Sequence, residues 1–271
     1  MLRQINPKRI VVKIGTSSLV LKNRKLNLRA IARLAFVLTD LCNRGIQVVL
    51  VSSGAMGVGI GMLHLKDRPS EIPQQQAVSA IGQSQLIGIY TKEFSEYQQI
   101  VAQVLLTRDV MLFPESKRNV VNAFKAMMGQ HIIPIVNEND SVSVDELDHQ
   151  TSFSDNDELS AIVTEIIDAD LLIVLSDIDG FYTGNPYKDP DAVLIPEVHA
   201  IDADILAYAG GSSTQFGTGG MTTKLNAARR ILEHHRQMIL ANGRDPEIIF
   251  DILDGKEIGT LFTPQTMKAS V

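Results

Sequence analysis

Cysteine is nearly missing from this chain: Cys42 is the one thiol in 271 residues. A lone cysteine excludes an intrachain disulfide and a cysteine-built metal cluster, and its position inside an amphipathic stretch reads as core. Long apolar runs are missing too. None approaches the roughly 18 residues that mark a membrane span. The amino terminus MLRQINPKRIVVKIG has neither the apolar stretch nor the small-residue cleavage site of a signal peptide. A soluble, cytoplasmic protein with no membrane partner is therefore expected. Positive charge is also in short supply. A net charge of -6, with 21 % charged residues, gives no support to nucleic acid or an anionic membrane as partner. Any phosphate must be held by a few focused lysines, backbone amides and a metal ion. No internal repeat or low-complexity tract marks a linker. With 45 % hydrophobic residues, the chain is read as one compact domain spanning 1–271.

Apolar, β-branched runs of strand length occur at Ile10–Ile14, Gln47–Val51, Ile100–Leu106, His131–Val136, Leu171–Leu175 and Gln237–Leu240. Their nearly continuous hydrophobicity predicts strands buried on both faces. Helical spacing links Leu28, Ile31, Leu34, Leu38 and Leu41, with a stop at Arg44 and Gly45. It recurs at Leu159, Ile162, Val163 and Ile166, and at Met221, Leu225, Ala228 and Leu232. Strands alternating with helices imply an α/β fold: a largely parallel, doubly wound sheet with helices on both faces. Segment 181–201, rich in Pro, Asp, Gly and Tyr, reads as irregular structure near a site. The stretch Ser141–Ser154 reads as an excursion or hairpin.

Ligands of such sheets bind beyond the carboxyl ends of the strands, so the residues there carry the functional signal. The first strand ends in Lys13-Ile14-Gly15-Thr16-Ser17-Ser18, a lysine meeting a turn of small hydroxyl residues. The second runs into Ser52-Ser53-Gly54-Ala55-Met56-Gly57, a glycine-rich start to a helix, where an anion is favoured. After the fourth come Asn137-Glu138-Asn139-Asp140-Ser141, whose acid suits an ammonium group. Ser154-Asp155-Asn156-Asp157-Glu158 resembles a helix cap, but capping explains only one of its acids. The fifth strand ends in Ser176-Asp177, read either as a plain turn or as a nucleotide contact. Gly217-Thr218-Gly219-Gly220-Met221-Thr222-Thr223-Lys224 opens a helix with glycines, hydroxyls and a lysine, the ingredients of phosphate binding, although its spacing fits neither a P-loop nor a dinucleotide fingerprint. His234 and His235 have no spaced partners for a metal and read as helix-end residues; no protein metal site is expected.

Taken together, KIGTSSL, VSSGAMGVG, GQSQLIG, NENDSV, SDNDELSA, LSDIDGFYTGNP and GTGGMTTK stand in the order and approximate spacing of the amino-acid kinase family. The resemblance runs from Lys13 to the GTLF that ends at Phe262, and is strongest to the members that phosphorylate the side-chain carboxylate of glutamate. It implies an open αβα sandwich. It implies that Lys13 and Lys224 lie along the phosphates of ATP and that Asp157 holds both lysines. It assigns Ser53, Asp140 and Asn156 to glutamate, and Lys13, Ser176, Asp177 and the run Thr218, Gly219, Gly220, Met221, Thr222, Thr223, Lys224 to ATP. It further implies Mg2+, proline biosynthesis with proline as feedback inhibitor, a reductase as the next enzyme, and a homo-oligomer. Ser154 stands where a glycine is common, and the carboxyl-terminal PUA domain that many members carry is not expected here.

A glutamate side chain, with a pKa of about 4.3, is already an anionic nucleophile at neutral pH and needs no general base. Other acceptors of the same fold, N-acetylglutamate, aspartate, carbamate and uridine monophosphate, remain open at this stage. So does a noncatalytic sensor of ATP or an amino acid.

Overall fold

The structure, a computed structural model, describes residues 2–142, 155–209 and 220–265. Its first half runs β1 (Arg9–Ile14), the single turn α1 (Thr16–Leu19), α2 (Leu28–Asn43), β2 (Gln47–Ser52), α3 (Ala55–Met62), α4 (Ile72–Ser95), β3 (Val101–Leu106), α5 (Asp109–Leu112), α6 (Pro114–Gly129) and β4 (Ile133–Glu138). The second half runs α7 (Asn156–Ile166), β5 (Leu171–Ser176), β6 (Glu197–Val198), α8 (Ala203–Ala209), α9 (Met221–Glu233), β7 (Gln237–Asn242), α10 (Ile248–Leu253) and β8 (Thr260–Phe262). All six expected strands form. β6 and β8, of two and three residues, are too short to carry a period in sequence. The expected excursion at Ser141–Ser154 lies outside the described residues from 143 onward.

Among the described residues the strands form one sheet in the order β3-β4-β2-β1-β5-β7-β8-β6, parallel throughout except for the antiparallel pair β7–β8. Side chains alternate across it, as the two-residue period of a strand requires. Ile10, Val12 and Ile14 of β1 face a core shared with Ile31 and Leu38 of α2 and Leu86, Tyr90 and Phe94 of α4. Val11 faces the opposite core, built with Leu159 and Ile162 of α7 and Leu225 and Ala228 of α9. Each of the two faces thus carries its own layer of helices, the αβα sandwich expected.

Two expectations are corrected. β3 is not buried on both faces: it is an edge strand, its residues from Val101 to Leu105 are half-buried or exposed, and only Leu106 is buried. Leu28 does not belong to the buried stripe of α2, for it sits in the first turn and is exposed. The rest of that helix behaves as its pattern requires. Asn27 caps it by accepting from the Ala30 N–H at 3.2 Å, and Gly45 ends it with φ of +87°.

The α3–α4 contact is unusually close. A Cβ on Gly82 would stand 1.8 Å from the Ala55 carbonyl oxygen and 2.6 Å from the Gly59 nitrogen. Backbone cannot yield to such an overlap without separating the helices. Gly82→Ala is therefore expected to cost about 3 kcal/mol of stability, the upper range for overpacking, read as the midpoint of urea unfolding. An unchanged midpoint would show that the helices do not rely on this approach.

Candidate active site

β1 lies between β2 and β5, where the chain turns to build the sheet in two directions, and its carboxyl end opens on the crevice of that reversal. Lys13 is the penultimate residue of β1 and, by the strand period, shares the face of Val11, toward α7 and α9. Its side chain is only 8 % exposed. Such an ammonium needs a partner, and Asp157, in the first turn of α7, supplies it: Lys13 Nζ lies 2.6 Å from Asp157 Oδ1. Lys224, in the first turn of α9, donates to the other oxygen, Oδ2, at 3.1 Å. Thr223 donates its hydroxyl to the same Oδ2 at 3.1 Å.

One buried carboxylate thus holds two lysines from distant parts of the chain side by side. Burial pushes the Asp157 carboxyl up, but the charges of Lys13 and Lys224, and their hydrogen bonds, override it and lower the pKa from 3.8 to about 2. Asp157 is an anion at any physiological pH. The neighbouring acid has a different task. Asp155 Oδ1 caps α7 by accepting from the N–H groups of Asp157 at 2.8 Å and Glu158 at 3.0 Å.

On the β2 side of the crevice, Ser53 follows the strand and Gly54 starts α3 with φ of +104°, a conformation natural to glycine. No side chain caps α3, which leaves its first amides available to an anion. Asn156 donates from Nδ2 to Ser53 Oγ at 2.9 Å and to Asn137 Oδ1 at 3.1 Å. Ser53 and Asn156, expected together from sequence, are therefore in direct contact. Asp140 lies half-buried in the turn after β4.

On the β5 side a cleft is lined by Ser176, Asp177, Tyr182, Tyr187, Met221 and Lys224, among others, so it reaches one lysine of the pair. The irregular segment expected near a site supplies its wall from Phe181 to Tyr187. Tyr187 donates its hydroxyl to the Asp177 carbonyl at 3.2 Å. Gly220 begins α9 without a side-chain cap, and Gly220 also lines the cleft. Thr218, Gly219 and Ser154 lie outside the described residues. Thr222 is exposed on α9, and it is Thr223 that reaches the triad. His234 sits at the end of α9 as expected, its Nδ1 2.9 Å from the Arg230 carbonyl and its Nε2 3.6 Å from Glu165.

Sequence reading placed Gln83 in the motif GQSQLIG and Tyr182 and Tyr187 in the segment 181–201 near a site, but gave none of them a role, and it passed over Tyr90. Gln83 accepts from Asn137 Nδ2 at 2.8 Å, and Tyr90 hydroxyl lies 2.9 Å from Ser52 Oγ. A buried glutamine two turns ahead of a buried tyrosine on one helix is a signal that becomes visible only once the inward face of α4 is known.

No group of three His, Cys, Asp or Glu side chains suited to a metal occurs among the described residues, and Asp157 is occupied by its lysines. This donor set fits a magnesium ion carried by a triphosphate. At the start of α7, Asp155 Oδ2 is one buried carboxylate oxygen without a hydrogen-bond partner, and it would be the one to face such an ion or its waters.

The profile of the amino acid kinase family matches residues 8–242. A glutamate 5-kinase of Enterococcus faecalis is 57 % identical over 255 residues, covering 94 % of both chains. One of Lactiplantibacillus plantarum is 56 % identical over 261 residues, covering 96 % of this chain and 98 % of its own length. Among solved structures, T. acidophilum isopentenyl phosphate kinase superposes with a TM-score of 0.64 at 18 % identity, covering 94 % of this chain and 99 % of that one. UMP kinase from Bacillus anthracis superposes with a TM-score of 0.64 at 16 % identity, covering 96 % and 97 %. At such identities these two bear on the fold alone.

Proposed function

The chain belongs to the amino acid kinase family, and from that premise we infer that it transfers the γ-phosphoryl group of ATP to the side-chain carboxylate of L-glutamate, giving L-glutamate 5-phosphate and ADP. This is the first step of proline biosynthesis from glutamate. The observation that carries the reading is the pair of buried lysines held on Asp157, one of them lining the cleft that contains Ser176 and Asp177.

The roles follow from charge. ATP lies in the cleft beside Ser176, Asp177 and Met221, with its phosphates toward Gly220, Thr223 and Lys224 at the start of α9. Glutamate lies against Ser53 and Asn156, with Asp140 as the acid for its ammonium group. Its γ-carboxylate oxygen attacks the γ-phosphorus, an O–P bond forms as the bond to the β-phosphate oxygen breaks, and ADP leaves with that electron pair. No proton moves, so no base is required. The obstacle is the repulsion between two anions, and Lys13 and Lys224 offset it by lining the charge that spreads over the phosphoryl oxygens. Asp157 touches neither substrate; it fixes the spacing of the two ammonium groups. Magnesium, when bound, neutralises phosphate oxygens of the nucleotide.

The family resemblance also supports proline as feedback inhibitor, a homo-oligomer and a cytoplasmic location. One continuous sheet among the described residues supports a single domain over 1–271. No described helix is long and apolar enough to cross a membrane.

The test is ATP turnover by the purified protein with magnesium and L-glutamate, with hydroxylamine to trap the acyl phosphate. Glutamate-dependent hydroxamate is expected, with aspartate and N-acetylglutamate at least about tenfold less effective, since each disturbs the carboxylate reach or the ammonium contact. Turnover only with another acceptor would keep the lysine roles and overturn the substrate.

A further inference from the structure

Two lines of hydrogen bonds start on one face of α4 and end on the same residue. Tyr90, fully buried, meets Ser52 Oγ at 2.9 Å, and that hydroxyl donates to the Ser53 carbonyl at 3.1 Å. Two turns earlier Gln83, 9 % exposed, accepts from Asn137 Nδ2. Asn137 Oδ1 accepts from Asn156 Nδ2, which donates as well to Ser53 Oγ. The first line fixes the backbone of Ser53; the second fixes its hydroxyl. The close approach at Gly82 brings α4 near enough for both.

A primary amide has a donor end and an acceptor end. With the donor end of Asn137 committed to Gln83, its acceptor end must face Asn156. Asn156 then spends both N–H bonds on Asn137 and Ser53, and its Oδ1 is left buried without a hydrogen-bond partner. Ser53 Oγ already accepts, so its own hydrogen is free to donate. The pocket therefore presents an acceptor, Asn156 Oδ1, and a donor, the Ser53 hydroxyl. These match the ammonium and carboxylate of an α-amino acid.

We propose that Gln83 is a positioning residue that sets the hydrogen-bond polarity of the amino-acid pocket through Asn137. Turned the other way, the chain would consume the Asn156 carbonyl on Asn137 and leave the ammonium without it. The proposal rests on the reading of Ser53 and Asn156 as the glutamate pocket.

Gln83→Met keeps the length and removes both polar ends. It is expected to raise KM for glutamate about tenfold with KM for ATP nearly unchanged, and to lower the unfolding midpoint modestly, because buried Asn137 Nδ2 loses its acceptor. Gln83→Glu, which retains the acceptor, is expected to recover most of that loss, and it carries the test if the methionine variant does not fold. Ser53→Ala is measured in parallel, and the double variant Ser53→Ala/Gln83→Met should lose less than the product of the single losses, because both act on one hydroxyl. An unchanged glutamate KM in Gln83→Met, equal losses for both substrates, a tenfold loss in Gln83→Glu, or a multiplicative double variant each overturns the proposal. If Ser53→Ala also leaves glutamate KM unchanged, the pocket reading falls and the relay with it. If Ser53→Ala alone raises it, the relay falls and the pocket stands.

Discussion

Lys224→Ala is expected to lower kcat by about three orders of magnitude, the scale on which a preorganised donor to transition-state charge acts, while the unfolding midpoint moves little. The asymmetry comes from the site. Lys224 shares Asp157 with Lys13, so its removal leaves a one-to-one pair, Lys13 on Oδ1 at 2.6 Å, and no stranded buried charge. What disappears, on the proposed mechanism, is one of the two cations that face the γ-phosphoryl group. KM for glutamate should stay within a few-fold, since Ser53 and Asn156 do not depend on Lys224. An undiminished turnover number would remove Lys224 from the mechanism. A collapse of the unfolding midpoint would recast it as structural.

Asp157→Asn has the opposite balance. The side chain keeps its shape but loses its charge, leaving two ammonium groups, 8 % and 9 % exposed, in mutual repulsion. Breaking a buried ion pair on one side costs about 3–5 kcal/mol, and that loss should appear in urea unfolding at pH 7. Turnover should fall by at least about a hundredfold, as the lysines no longer share one anchor. The pH dependence is a second signature. The folded carboxyl sits at about 2 against 3.8 for the free group. Its stabilisation is therefore fully present above pH about 4 and is lost as pH falls through about 2. The stability gap between the native chain and Asp157→Asn should be flat from pH 8 to 5 and narrow only in acid. A gap that closes near pH 6 instead would mean that a different group, not Asp157, controls the pair.

The order of motifs along the chain was enough to read the strands, the crevice that their ends share, and the lysines that meet there. Lys13 and Lys224 were legible because each follows or opens an element with a clear period, so each could be placed at a strand end or a helix start. The acids were harder. Asp155, Asp157 and Glu158 fall within one helix start, and either of the first two suits a cap or an ion pair. Geometry divides them: Asp155 spends an oxygen on backbone N–H groups, while Asp157 alone lies against both lysines. The hydroxyls divide in the same way, with Thr223 facing inward and Thr222 exposed.

The sequence by itself determined the alternation of strands and helices and the chemical content of each strand end, because periodicity and loop composition are local properties. Only the tertiary structure decided that β3 lies at an edge of the sheet, how Asp157 divides its two oxygens between the lysines, and that Gln83 of α4 meets Asn137. Each of these depends on strand order and on the close approach of helices far apart in sequence, and no local pattern encodes a distance across the fold.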